Sequence, residues 1–175
     1  MKISVQEVPQ GESVLELRET PAGLELTGLS AQFTSEVPVN LRLHRRENEI
    51  VIWGSASGTV SEECSRCLNA VERKFSVEFE IFCDKIGART GEREGEEKGG
   101  ETFVVFHDGR TLELGPCVRE ALVLSLPIKP LCSEDCKGLC PICGVNLNET
   151  TCSCDRSRVD PRWSVLEKLK KREEK

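Results

Sequence analysis

Cysteine is the residue type whose number and spacing could do chemistry in this chain. Eight of its ten cysteines fall into four close pairs: Cys64/Cys67, Cys132/Cys136, Cys140/Cys143 and Cys152/Cys154. Four thiolates complete a closed tetrahedral zinc site, so eight suffice for two ions. Cys140-Pro-Ile-Cys143-Gly144 has the form of a zinc knuckle, in which two thiolates grip one ion from a tight turn. The glycine after it lets the chain turn and leaves backbone N–H groups to donate to sulfur. Cys152 and Cys154 follow after a short hairpin, so Cys140, Cys143, Cys152 and Cys154 make a local set. Cys132 and Cys136 then combine with Cys64 and Cys67, whose C-S-R-C is a second knuckle. That site would stitch the C-terminal segment to the front of the chain across a long loop. A second division places Cys132, Cys136, Cys140 and Cys143 on one ion and the remaining pairs on another. We favour the first, because each knuckle keeps the nearest pair able to close on it. Iron is the rival ion for four thiolates. Isolated Cys83 and Cys117 read as small core residues.

Both sites read as structural. A catalytic zinc keeps one position open and often uses histidine, but His44 and His107 lie far from every pair and in no H-E-x-x-H or H-x-E pattern. Neither a G-x-x-x-x-G-K-[ST] phosphate loop nor a G-x-S-x-G turn is present. A zinc-capped thiol redox switch is the minor chemical alternative. The expectation is a scaffold that is no enzyme and has no small-molecule substrate. Its net charge of -6 disfavours a whole-molecule grip on nucleic acid, so any RNA contact needs a local basic patch. Arg42, His44, Arg45 and Arg46 form one basic cluster, and Arg66, Arg73 and Lys74 a second. Arg156, Arg158, Arg162 and Lys168 open a third, with Trp163 among them for stacking on a base. Arg66, Arg156, Arg158, Arg162 and Lys168 are the candidate RNA contacts. No segment reaches the roughly 18 to 20 apolar residues of a membrane span, and MKISVQEVPQ does not read as a signal peptide. A cytoplasmic protein is expected, and in a reducing compartment paired cysteines are metal ligands before they are disulfides.

The elements that must position these residues are mostly strands. Ile3/Val5, Val14/Leu15/Leu17, Leu24/Leu26, Val37/Val39/Leu41/Leu43 and Ile50/Ile52 alternate with period two, with breaks at Pro9–Gly11, Pro21–Gly23 and Gly54–Gly58. Cys64 and Cys67 fall on a turn between strands. Phe75, Val77, Phe79 and Ile81 alternate cleanly with Ser76, Glu78 and Glu80, which predicts an antiparallel sheet with one wet face. Residues 84–101 read as a polar loop. Short strands over 102–106 and 111–114 flank a turn at His107-Asp108-Gly109. Pro116 opens a helix that Pro127 and Pro130 end, and Asp160-Pro161 starts a last one. The expected fold is α+β: an antiparallel, partly barrel-like sheet with two or three helices and two four-cysteine zinc sites. Residues 1–125 make a β-rich unit and 126–175 a zinc-binding segment with its helix.

The cysteine block also resembles a family, the YceD-like large ribosomal RNA subunit accumulation proteins. The resemblance lies in CSRCL (64–68), LPIKPLCSEDCKGLCPICGVNLN (126–148), CSC (152–154) and DPRWSVLEKL (160–169). It implies a bacterial or organellar cytosolic protein needed for normal levels of large-subunit ribosomal RNA. The implied partner is ribosomal RNA or a pre-ribosomal particle, with a ribosomal or metabolic protein as a further possibility. Since the matched residues are mainly metal ligands, the resemblance names a process and no RNA-contacting surface. A protein-interaction adaptor without RNA contact is the other reading.

Overall fold

The computed structural model describes residues 1–47, 49–86 and 101–155. Its strands are β1 (Lys2–Ser4), β2 (Gly11–Glu19), β3 (Gln32–Phe33), β4 (Val37–Arg46), β5 (Glu49–Glu63), β6 (Ala70–Lys85), β7 (Glu101–His107) and β8 (Thr111–Glu113). Helix α1 (Gly115–Ser125) follows, with Pro116 in its first turn as expected. Alternation is what makes these strands. In β4, Val37, Val39, Leu41 and Leu43 are buried while Asn40 and Arg42 face solvent. In β6, Phe79 and Ile81 are buried and Glu78 is exposed. The buried faces of β4, β5 and β6 pack with Val5, Val8, Leu24, Leu26 and the Val118, Ala121 and Leu122 face of α1 in one core.

The main sheet runs β2-β4-β5-β6-β7, with β3 paired to the far half of β5 and β1 paired to β8 in a separate ladder. Three expectations need correction here. The sheet is an open path with β2 and β7 at its edges, and among the described residues no strand pair closes it into a barrel. It is also not wholly antiparallel, because β7 lies parallel to β6, from Phe79 opposite Glu101 to Lys85 opposite His107. Parallel neighbours need a connection of about a dozen residues or more, and the stretch 86–100 supplies that length. Leu24 and Leu26 are buried without forming a strand. They sit in consecutive turns closed by Leu24 N–H to Thr20 O (3.1 Å) and Leu26 N–H to Pro21 O (2.8 Å). Among the described residues α1 is the one α-helix. The helix expected from Asp160, and the greater part of the loop expected over 84–101, lie outside the described residues.

Gly54 and Gly58 do not break β5, which passes through both. Each faces an aromatic ring across the ladder, Gly54 opposite Phe79 and Gly58 opposite Phe75. A Cβ on Gly54 would overlap the Phe79 ring, and one on Gly58 would lie 2.9 Å from Phe75 Cζ. These glycines make room for cross-strand aromatics in an unbroken strand. Phe75 in turn meets Phe33 of β3 edge to face, with centroids 5.5 Å apart. β4 pairs with β5 only as far as Ala56, whereas β5 and β6 stay paired to Glu63 and Ala70. The tip of this hairpin therefore projects past β4, and it carries Cys64 and Cys67.

Candidate metal centres

The first knuckle is the turn between β5 and β6. Cys64 N–H donates to Asn69 O (2.9 Å) and Leu68 N–H to Cys64 O (2.9 Å), closing a loop that holds both sulfurs on one side. The segment after α1 comes up against it. Ser65 N–H donates to Pro130 O (2.8 Å) and Leu139 N–H to Arg66 O (3.0 Å). Gly138 packs so close that a Cβ there would stand 3.0 Å from Arg66 O. This docking sets Cys64 Sγ 3.8 Å from Cys136 Sγ and Cys67 Sγ 3.6 Å from Cys132 Sγ.

The second knuckle has Cys140 N–H on Val145 O (2.8 Å) and Gly144 N–H on Cys140 O (2.9 Å). It gathers Cys140, Cys143, Cys152 and Cys154. In each cluster the four sulfurs lie within 4.8 Å of one another. All ten cysteines are free thiols. The structure thus brings together Cys64, Cys67, Cys132 and Cys136, and separately the four from Cys140 to Cys154; the other division of the pairs is not formed. Cys83 is fully buried and Cys117 half-buried, both in or against the main core.

These donors fit a thiophilic divalent cation. A zinc–sulfur distance of about 2.3 Å sets tetrahedral sulfurs about 3.8 Å apart, which matches the two sulfur pairs of the first cluster. Protonation energetics point the same way. Burial works to raise the Cys64 thiol, but backbone N–H groups of Cys67, Arg66 and Cys132 outweigh it and bring it down to about 6. Cys140 is likewise drawn down to about 6, chiefly by the backbone N–H of Cys143 and then of Ile142. Asn69 N–H favours the Cys67 thiolate, yet burial and the crowding sulfurs of Cys64, Cys132 and Cys136 push that thiol up to about 12. The neighbouring Cys143 thiol, followed by burial, pushes Cys154 up to about 12. Against burial, Cys136 is also drawn down by the Asn148 side chain and the Gly138 backbone N–H, so in each cluster some thiolates form easily while the sulfurs beside them are held back. A bound cation is what removes that restraint.

Of the RNA candidates, Arg66 is exposed but engaged. Its guanidinium donates to Glu134 O (3.2 Å) and Cys136 O (2.9 Å), clamping the loop of the first cluster. Arg156, Arg158, Arg162 and Lys168 lie outside the described residues. The Arg42–Arg46 cluster divides. Arg45 turns inward and donates to Val5 O and Val8 O, both at 2.7 Å, while Arg42 stacks over Trp53 at 5.1 Å on the outer face. Sequence reasoning missed Asn148, whose Nδ2 donates to Cys136 Sγ at 3.3 Å. An asparagine near a cysteine pair carries no signal that it serves the other cluster.

The fold and its sulfur clusters define a class: a mixed β-sheet protein in which the segment after α1 docks on a hairpin tip and brings four thiols together there. Residues 52–170 match the family described as large ribosomal RNA subunit accumulation protein YceD, and the chain belongs to that family. A protein of Mycobacterium tuberculosis is 29% identical over 158 residues, covering 88% of this chain and 73% of its own length. YlbN of Bacillus subtilis is 29% identical over 163 residues, covering 91% and 90%. The chloroplastic large ribosomal RNA subunit accumulation protein YCED homolog 1 of Zea mays is 24% identical over 156 residues, covering 76% of this chain and 53% of its own length. No solved structure matches the chain. Among the described residues no helix is long and apolar enough to cross a membrane.

Proposed function

We propose that this chain is a non-enzymatic cytoplasmic factor for accumulation of large-subunit ribosomal RNA, binding that RNA or a pre-ribosomal particle on a scaffold held by two zinc ions. Cys64, Cys67, Cys132 and Cys136 hold one ion, and Cys140, Cys143, Cys152 and Cys154 the other. The observation that carries this reading is the coincidence of the family match over 52–170 with two four-sulfur clusters inside that span. Zinc supplies a rigid four-way cross-link and no reaction step, since a site closed by four thiolates leaves no position for substrate. With the Arg66 guanidinium engaged by carbonyls, the RNA contact falls to Arg156, Arg158, Arg162 and Lys168, which follow the second cluster directly in sequence.

The test is a salt titration of binding to ribosomal RNA, alongside recovery of the chain from cells with and without nuclease. Arg156, Arg158 and Arg162 changed together to Ala should flatten the salt dependence by about three phosphate contacts. An unchanged slope removes that surface from the proposal. One observation favours a second reading, a protein-interaction adaptor. Val104 and Phe106 lie exposed on the edge strand β7, where a partner segment could pair. Association with a protein partner that survives nuclease and high salt would select it.

A further inference from the structure

The two clusters share ligand type and differ in setting. In the first, Cys64, Cys67 and Cys136 are at most 3% exposed and Cys132 alone is exposed, and the knuckle ends a long two-stranded ladder. In the second only Cys140 is buried; Cys143 is exposed, and Cys152 and Cys154 are half-buried. All four of its ligands come from 140–154, outside any strand or helix. An ion there is open to competing ligands and leaves by loosening one short loop. An ion in the first cluster leaves only when the hairpin tip parts from residues 132–136.

The clusters also touch. Asn148, four residues before Cys152, donates from Nδ2 to Cys136 Sγ (3.3 Å) and to Asn146 Oδ1 (2.9 Å). Its Oδ1 accepts the Lys137 N–H at 2.8 Å. Glu149 Oε1 accepts from Asn146 (2.7 Å) and from Asn69 beside the first knuckle (3.4 Å). Donors to a ligating sulfur orient it and tune its hold on the metal. The loop closed by the second cluster therefore furnishes part of the surroundings of the first.

We infer that the second cluster is an exchangeable zinc site, and that Asn148 is a positioning residue which carries its occupancy to the retained zinc of the first. This rests on reading both clusters as zinc sites. With the second ion bound, Cys140, Cys143, Cys152 and Cys154 close residues 144–151 into one loop and hold Asn148 against Cys136. As free zinc falls, the exposed cluster empties first, the loop loosens and Cys136 loses its donor.

The full chain loaded with zinc is challenged with a metallochromic chelator. Release should occur in two phases, with Cys152→Ser abolishing the fast one and leaving the slow; Cys143→Ser serves if that variant does not fold. Asn148→Ala should leave the fast phase alone and shift the thiolate-to-cobalt band of the first-cluster ion in fully cobalt-loaded protein, and emptying the second cluster through Cys152→Ser should produce the same shift. A single release phase, a fast phase that survives loss of a second-cluster ligand, or an Asn148→Ala variant identical in spectrum to the loaded wild type overturns the inference. A chain that holds no ion overturns the zinc reading itself, whereas two ions that leave together overturn the ordered release alone.

Discussion

Leu68 and Gly144 occupy the same position in two knuckles of the same design. Each stands directly after the second cysteine with a left-handed φ, 61° for Leu68 and 74° for Gly144, and each donates its N–H at 2.9 Å to the carbonyl of the first cysteine. Glycine adopts that conformation freely, while a leucine pays roughly 1–2 kcal/mol for it. Leu68 is 60% exposed, so its side chain adds little packing in return. Leu68→Gly should therefore stabilise the metal-loaded protein by about 0.5–1 kcal/mol, after allowing for the entropy of glycine in the unfolded chain. Gly144→Ala meets no atom within 4 Å and suffers only the backbone penalty, about 1 kcal/mol. Denaturant unfolding of both variants checks the pair; a destabilised Leu68→Gly would refute the equivalence.

Gly54→Ala should be far more damaging than Gly58→Ala. The first drives a methyl into the Phe79 ring, which is 3% exposed in the core; the second presses a half-buried ring that can give way. Overpacking of this kind costs about 1–3 kcal/mol. Phe79→Leu, damaging alone, should recover part of the loss when combined with Gly54→Ala. Strict additivity of the two in thermal unfolding would show that the ring contact is not the cause.

Arg66→Ala should weaken the fold rather than RNA binding. It removes two hydrogen bonds from a charged donor to Glu134 O and Cys136 O, worth about 1–2 kcal/mol together in this exposed setting. Faster zinc loss from the first cluster with an unaltered salt slope for RNA is the expected result. A flattened slope would restore Arg66 to the RNA surface.

His107 predicts an acid-side loss of stability. Burial is the main reason its pKa lies below the ordinary value, with Asp108 and Asp84 opposing the shift and Lys85 and Arg45 adding to it. Its Nδ1 accepts the Gly109 N–H at 3.0 Å, while Nε2 is buried without a hydrogen-bond partner. The unfolded chain thus takes up the proton more readily than the folded one. The stability from neutral His107 is complete above about pH 6.5 and is lost as pH falls from there through the lower folded value. The difference in unfolding free energy between wild type and His107→Asn should shrink over that window, and a difference independent of pH would refute it.

Local chemistry was written plainly in the chain. Period-two alternation marks β4 and β6, the His107-Asp108-Gly109 turn forms where expected, and Pro116 starts α1. The C-x-x-C spacing marks both knuckles, and the cysteine block marks the family. These signals are legible because each depends on residues a few positions apart. What they could not reveal depends on partners distant in sequence. Gly54 and Gly58 read as breakers until Phe79 and Phe75 arrive opposite them. Leu24 and Leu26 alternate like a strand but are buried from within turns. Arg45 and Arg66 read as free cations until backbone carbonyls from other segments meet them. The parallel approach of β7 and the reach of Asn148 to Cys136 are settled the same way, by packing between segments that no local pattern encodes.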